Sequence, residues 1–479
     1  MKKFICMTVV LLMLAGALVS CKGNTNTPDN SENTPNPDQS QGDVIDSGST
    51  EEPKEEIEIK DFSMGGTKRD YNMLVMSQRT HFMLSDGSTA DRVEKATYER
   101  NAFISENFGV NFKMETTKGD KSEDWVTRLS TSGSDLDLAI PDYWWQIERL
   151  GLLINLQERP ELDFNDSWWY KGWNDIMTVN GKQYSAVGDL NLDVWENLDM
   201  MFFNTSMEDA QHVDIHQLVK DGKWTIEEMM KIGKNAAAGL DTAATDDDVY
   251  GVYYNYHSYA AQMFSAGLKL IDIKDNRIDV IAQSRAVNLT IFETLRDLKQ
   301  ADETYFIVGT TGTGADGNKM FVNGKIMFYA NALKVLQTLE ADNFGIAVMP
   351  KCEGEENYVT TGYGLCSSGI PKVAEDPNFS ATILNALNYY SGDTVVSEYY
   401  DVVLKLKSAP DPDSKAMIDI ARDTMYYDLA WVMDDGVNGL QIFDAFEDGT
   451  NSKTGQVQLD TVMSQANTKI AALIDYYNK

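Results

Sequence analysis

Two α/β lobes, each built on a mostly parallel sheet flanked by helices, are what the sequence predicts, on two observations. Short apolar runs of strand length alternate with longer segments of helical periodicity, first between Tyr71 and Ile140 and again between Trp224 and Leu298. Such alternation implies a largely parallel sheet covered on both faces. The stretch from about residue 60 to residue 479 is also long enough for two domains, on the usual allowance of roughly 100–200 residues each.

The N-terminus carries its own signal. Lys2 and Lys3 precede an apolar run from Phe4 to Val19 that closes on Ser20 and Cys21. That run falls short of the roughly 20 residues a spanning helix needs, and its small-residue end suits a secretory signal peptide. Leu18-Val19-Ser20-Cys21 resembles the bacterial lipobox, which makes Cys21 the expected lipidated N-terminus. From there to about Glu56 the chain is Asn, Thr, Pro, Ser and acidic residues with almost nothing apolar to bury, so a disordered tether between lipid and globule is expected.

The elements then follow in order. Tyr71–Met76 reads as the first strand, Asp91–Asn107 as a helix stopped by Gly109, and Val110–Glu115 as a second strand. Trp125–Leu129 reads as part of a helix, and Leu136–Ile140 as a buried strand. Strands at Gln183–Val187 and Met200–Phe203 lead into the second unit. There Thr225 and Glu228 form a capping box for a helix reaching about Ala237. A strand at Val249–Tyr254 and helices at Ala260–Ala266 and Arg285–Leu298 resume the alternation. After the Gly/Thr-rich loop Gly309–Gly317 come the run Phe321–Tyr329, a helix at Ala332–Leu339, a strand at Phe344–Met349, and a mostly helical region from Ala381 onward.

Composition narrows the function. A formal net charge of −33 with no basic stripe argues against nucleic acid as a partner. Only four histidines are present; His212 and His216 are spaced to share a helix face, but Val213 stands where a metalloprotease needs Glu. No G-x-S-x-G turn occurs, the Gly309–Gly317 loop lacks the Lys of a P-loop, and Asp246-Asp247-Asp248 lacks the alternation of a calcium loop. No cofactor and no metal are expected. Cys352 and Cys366 read as two thiols, with a disulfide closing a short loop as the alternative. The 74 acidic residues leave a pair of glycosidase carboxyls open as a rival reading.

Several segments, in their order and spacing, resemble the family 1 extracellular solute-binding proteins, whose best-known relatives bind maltose and other sugars. Leu136–Ile140, followed by an aromatic loop, a helix and Gly151-Leu152-Leu153-Ile154-Asn155-Leu156, is similar to the family's strand, loop and "G-x-L-x-x-L" segment. Met201-Phe202-Phe203-Asn204 resembles the crossover into the second lobe, with Thr205 where Lys is common. Asp221–Thr225 resembles "P-x-T-W-x-E", Phe321–Tyr329 resembles the return crossover "F-x-x-G-x-A-M", and Phe344–Pro350 resembles "G-x-x-x-x-P". The tail from Ala409 to Leu429 departs from the sugar-binding archetypes and marks a divergent subgroup.

The resemblance implies a two-lobed, periplasmic-binding-protein-like fold with hinge crossover strands and a helical C-terminal region. The boundaries it suggests are 1–20 for the signal peptide, 21–60 for the lipidated tether, 61–196 with 318–355 for the first lobe, and 197–317 with 356–479 for the second. It implies a monomeric receptor without enzymatic activity, held at the extracytoplasmic face of the cell membrane by lipid alone. Its partners would be a carbohydrate or other small solute and the transmembrane subunits of an ABC permease. A lipid-anchored glycoside hydrolase or a surface glycan-binding protein is the alternative.

A sugar offers a C–H face for an aromatic ring and hydroxyls that need hydrogen-bond partners. Tyr143, Trp144 and Trp145 directly follow the strand ending at Ile140, where ligands collect at the carboxyl ends of parallel strands. Asp189, Asn191 and Trp195 precede the first crossover. Tyr254 and His257 follow the second-lobe strand, Tyr329 and Asn331 sit at the return crossover, and Tyr363 follows a third. Ser77, Gln78 and Arg79 end the first strand. Together these are the candidate ligand-binding residues.

Overall fold

A computed structural model of the chain describes residues 56–117, 122–131, 135–141, 150–238, 248–274, 277–280, 286–300, 306–309, 316–362, 364–400 and 410–432, with 404, 471 and 477. Cys21, Tyr143, Trp144, Trp145 and Tyr363 lie outside the described residues.

The first sheet is wholly parallel. Its strands β1 (Arg69–Met76), β2 (Val110–Thr117) and β3 (Leu138–Ile140) lie in the order β2-β1-β3. Arg69 stands opposite Val110, and Met73 opposite Leu138. The run Met73-Leu74-Val75-Met76 is buried on both faces, as a strand covered by helices on each side must be. The helix Arg92–Asn107 starts where Asp91 accepts a hydrogen bond from the Glu94 N–H. It ends before Gly109, whose φ of +65° turns the chain into β2 at no steric cost.

Strands β4 (Asp199–Asn204), β5 (Tyr250–Asn255), β8 (Phe306–Gly309), β9 (Ile326–Ala332) and β10 (Phe344–Ala347) form the second sheet, in the order β10-β4-β9-β5-β8. β6 (Ile271–Lys274) and β7 (Arg277–Val280) make a separate antiparallel pair. β5 runs parallel to β8 and β9, whereas β4 is antiparallel to both β9 and β10, so this sheet is mixed. The reason is directional: β4 leaves the junction between the lobes, and β9 and β10 both run back toward it. The α/β class holds in both lobes.

The division of the chain between lobes differs from the expected one. Residues 318–355 supply β9 and β10 to the second sheet, not to the first lobe. The first lobe is completed instead by residues 365–391. Gly369 pairs with Ala139 of β3, the Ser380 hydroxyl donates to Asp137 at 2.8 Å, and Arg69 meets Asp376 at 3.0 Å. An all-buried run such as residues 326–331 identifies a central strand but does not say which sheet it enters.

Smaller readings shift as well. Gln183–Val187 contributes a single bridge, Ala186 to Ser368, rather than a strand, and Leu333–Gln337 is a short 3-10 turn rather than a helix to Leu339. His212 ends the helix Thr205–Gln211 in a left-handed conformation and His216 belongs to the next helix, so the two share no helix face. Cys352 and Cys366 are buried thiols, not joined in a disulfide. Among the described residues, no helix is long and apolar enough to cross a membrane.

Candidate functional site

Four backbone segments lie side by side where the two lobes meet. The Leu333 N–H donates to the Leu198 carbonyl at 2.8 Å, the Asp199 N–H to Thr361 O at 3.0 Å, and the Tyr426 N–H to Thr360 O at 2.9 Å. The order across this floor is therefore 332–334, 197–199, 360–362 and 424–426. The fit is close: a Cβ on Gly362 would stand 2.1 Å from the Asn197 carbonyl oxygen. The outer pass, 424–426, lies in the tail between Ala409 and Leu429.

The carboxyl ends of three strands deliver side chains to this floor. β1 ends in the turn Ser77–Phe82, β5 ends at the helix Tyr256–Ser265, and β9 ends one residue before Leu333 and Lys334. Carboxyl ends of strands are where α/β sheets place ligands. From β1, the Arg79 guanidinium stands 3.2 Å from the buried Asp193 carboxylate and donates to the Gly364 carbonyl at 2.7 Å. The His81 ring meets Glu196 at 3.0 Å. From β9, the Lys334 ammonium donates to the Asn197 side-chain oxygen at 2.7 Å, and the Asn197 amide reaches Gly364 O at 3.3 Å. From the β5 side, the Ser258 hydroxyl donates to Asp199.

These groups act on one another. Burial, opposed by the Ser258 hydrogen bond and by Lys334, pushes the Asp199 carboxyl up to about 7. Burial and then the Lys334 charge hold His257 down at about 4, which leaves its imidazole neutral at ordinary pH. The Lys334 ammonium is itself lowered by crowding from the protein and then by Arg79, while Glu196, Asp199 and Asp193 pull it back. Glu196 and Asp193 pull His81 upward against its burial.

Some predicted residues meet here and others do not. Arg79 and His257 join the junction, although Arg79 is anchored to Asp193 and Gly364 and acts as a brace. Ser77 and Gln78 are exposed on the turn just ahead of it. Trp195 is buried in the first lobe, where its ring N–H donates to the Tyr170 hydroxyl at 2.7 Å and that hydroxyl donates to Asp189 at 2.9 Å. Asn191 is fully buried, with its amide committed to Cys366 O, the Gly188 N–H and the Ser368 hydroxyl, so it holds a loop rather than a ligand. Tyr254 is a core residue whose hydroxyl donates to Gln262 at 2.8 Å. Tyr329 packs against Phe202 and Tyr253, and its hydroxyl donates to Asn318 at 2.7 Å and accepts from Asn331.

His81, Asp193, Glu196, Asn197, Asp199, Ser258 and Lys334 were not singled out from the sequence. Their signal is there in part: Asp193, Glu196, Asn197 and Asp199 crowd polar groups immediately before an apolar strand. The Asn197 amide and the Ser258 hydroxyl are buried and committed within the junction, whereas the exposed Lys334 ammonium and the half-buried His81 and His257 rings are the polar groups it can offer a polyhydroxylated ligand.

Two lobes on α/β sheets, joined by several passes with polar groups at the strand ends, define the fold of the two-lobed solute-binding proteins. No family model matches the sequence, and no curated protein does. Solved structures do. An ABC substrate-binding protein of Listeria monocytogenes in complex with cycloalternan superposes with a TM-score of 0.52 at 16% identity, covering 84% of this chain and 99% of that one. An extracellular solute-binding protein of Staphylococcus aureus in complex with maltose gives 0.55 at 14% identity, covering 85% and 99%. A cyclo/maltodextrin-binding protein complexed with maltotetraose gives 0.56 at 13% identity, covering 83% and 97%. Likeness at this level of identity establishes the shared fold.

Proposed function

We propose that this chain is a solute-binding protein that captures a carbohydrate between its lobes and, as a lipoprotein anchored through Cys21, delivers it to an ABC importer at the extracytoplasmic face of the membrane. One observation carries the reading: the carboxyl ends of β1, β5 and β9 converge on a polar junction in a fold whose similar solved structures hold sugars. Movement of one lobe against the other would make the closed, liganded form the one a permease reads. Trp144 and Trp145, just beyond the carboxyl end of β3, are the proposed stacking rings. The reading is of a binder rather than a hydrolase because the junction carboxyls Asp193 and Asp199 are buried and present no face to a glycosidic bond.

Thermal unfolding of a soluble version beginning at Glu56, screened against oligosaccharides with product analysis of every hit, tests this. A bound sugar at 100 times its Kd raises stability by about 2.7 kcal/mol, and the sugar should be recovered intact. Cleaved product would replace the binder with a glycoside hydrolase. Trp144→Ala or Trp145→Ala should lower affinity at least tenfold while leaving the unliganded unfolding midpoint nearly unchanged; an equal loss of both would assign the rings to the core.

A further inference from the structure

Resting on that reading, we infer that the saccharide this cleft takes is acidic, carrying a carboxylate that is seated on Lys334. The placement comes first. Lys334 follows the carboxyl end of β9 and lies within electrostatic reach of Arg79, from the turn after β1, and of His257, from the helix after β5. Geometry joins it to the first lobe: its partner Asn197 reaches the Gly364 carbonyl, to which Arg79 also donates, so Lys334 stands at the junction.

The charges around it come next. Each carboxylate of the junction already has a nearer partner: Asp193 has Arg79, Glu196 has His81, and Asp199 has the Ser258 hydroxyl. Lys334 alone of the junction cations forms no salt bridge among the described residues; its one hydrogen bond, at 2.7 Å, goes to the neutral amide of Asn197. That bond fixes the ammonium in position without neutralising it. Its side chain is open to solvent, unlike the buried carboxylates, so a ligand can reach it.

An ammonium held in place without a salt bridge, its charge offset only at longer range by Glu196, Asp199 and Asp193, is free to take a direct carboxylate partner. A neutral oligosaccharide supplies none, whereas a uronate supplies one. A phosphate dianion would bring a second negative charge toward Glu196, Asp199 and Asp193. A single ammonium matches a single carboxylate, and a charge-assisted hydrogen bond is about twice as strong as a neutral one.

Calorimetric titration of the full chain tests this with two panels. One holds trimers of galacturonate, glucuronate, mannuronate and guluronate with their methyl esters; the other holds maltotriose, cellotriose and xylotriose. One uronate is expected to bind at least tenfold more tightly than its own methyl ester, with affinity falling as salt rises. Lys334→Met should bring the acid-to-ester ratio near one, and Lys334→Arg should keep most of it. A neutral trimer binding while every uronate fails would overturn this inference and leave the solute-binding reading intact. Binding of no saccharide in either panel would overturn both. A uronate preference that survives in Lys334→Met would remove Lys334 from the role.

Discussion

Gly362 has no room for a methyl group. Its alanine variant would drive a Cβ against the Asn197 carbonyl at the centre of the junction, and a clash of this kind costs about 1–3 kcal/mol. Equilibrium unfolding in urea should report that loss, together with weaker ligand binding, because the same move displaces the Asn197 amide that holds Lys334. Arg100 poses the opposite case. It is fully buried, without a carboxylate partner among the described residues, and burial lowers its pKa to about 9. Its guanidinium donates to Phe82 O, Met83 O, Asn101 and Ser391, tying the long helix of the first lobe to the turn after β1 and to the helix ending at Ser391. Arg100→Leu should destabilise by at least about 1–3 kcal/mol, since each buried acceptor left without a donor costs that order. Neither role is visible in the sequence: nothing local marks Gly362 as crowded, and Arg100 sits in a helix whose flanking residues are polar.

Helix starts are where the sequence speaks most directly. Thr225 accepts from the Glu228 N–H at 3.2 Å, as the capping pattern predicts, and Asp91 caps the first long helix. Thr225→Ala should cost about 1 kcal/mol, measurable as a lowered unfolding midpoint with ligand affinity unchanged. Strand identity was also legible: runs rich in Met, Phe, Val and Tyr with buried faces fall on β1, β4, β5 and β10. Their partners were not. A buried run pairs with whatever backbone the topology brings beside it, and β9 reads the same whether it lies against β3 or against β4. Hence sequence alone does not assign 318–355 to the second sheet, and nothing local fixes the roles of Asp193, Glu196, Asn197 and Asp199, because their meaning comes from Arg79, Ser258 and Lys334, which lie far away in the chain.

For the molecule as a whole, pH is the revealing variable. Burial raises Asp137 to about 6, while Asp199 and Glu208 are raised to about 7, Glu208 by burial and then by neighbouring carboxylates. Each of these groups holds its proton more tightly folded than unfolded. Between the ordinary carboxylate range and pH 7 the folded state carries the extra protons of these three carboxyls, so their contribution to stability falls as pH rises; His257, held down at about 4, opposes them singly below about pH 6.5. Relief of the −33 net charge on acidification acts in the same direction. The unfolding midpoint should be higher at pH 5 than at pH 8, and Asp199→Asn should flatten that difference; a midpoint that climbs toward pH 8 would contradict these assignments. The threading of the lobes also bears on time. Arg69 finds Asp376 across 307 positions of sequence, and the outer pass of the junction is made by residues 424–426. A chain emerging amino end first therefore cannot finish its first lobe until Ser391 has been synthesised, nor its junction until Tyr426 has. β3 therefore keeps an open edge until Gly369 docks beside it, and closure of the first lobe and of the junction depends on contacts between segments far apart in the chain.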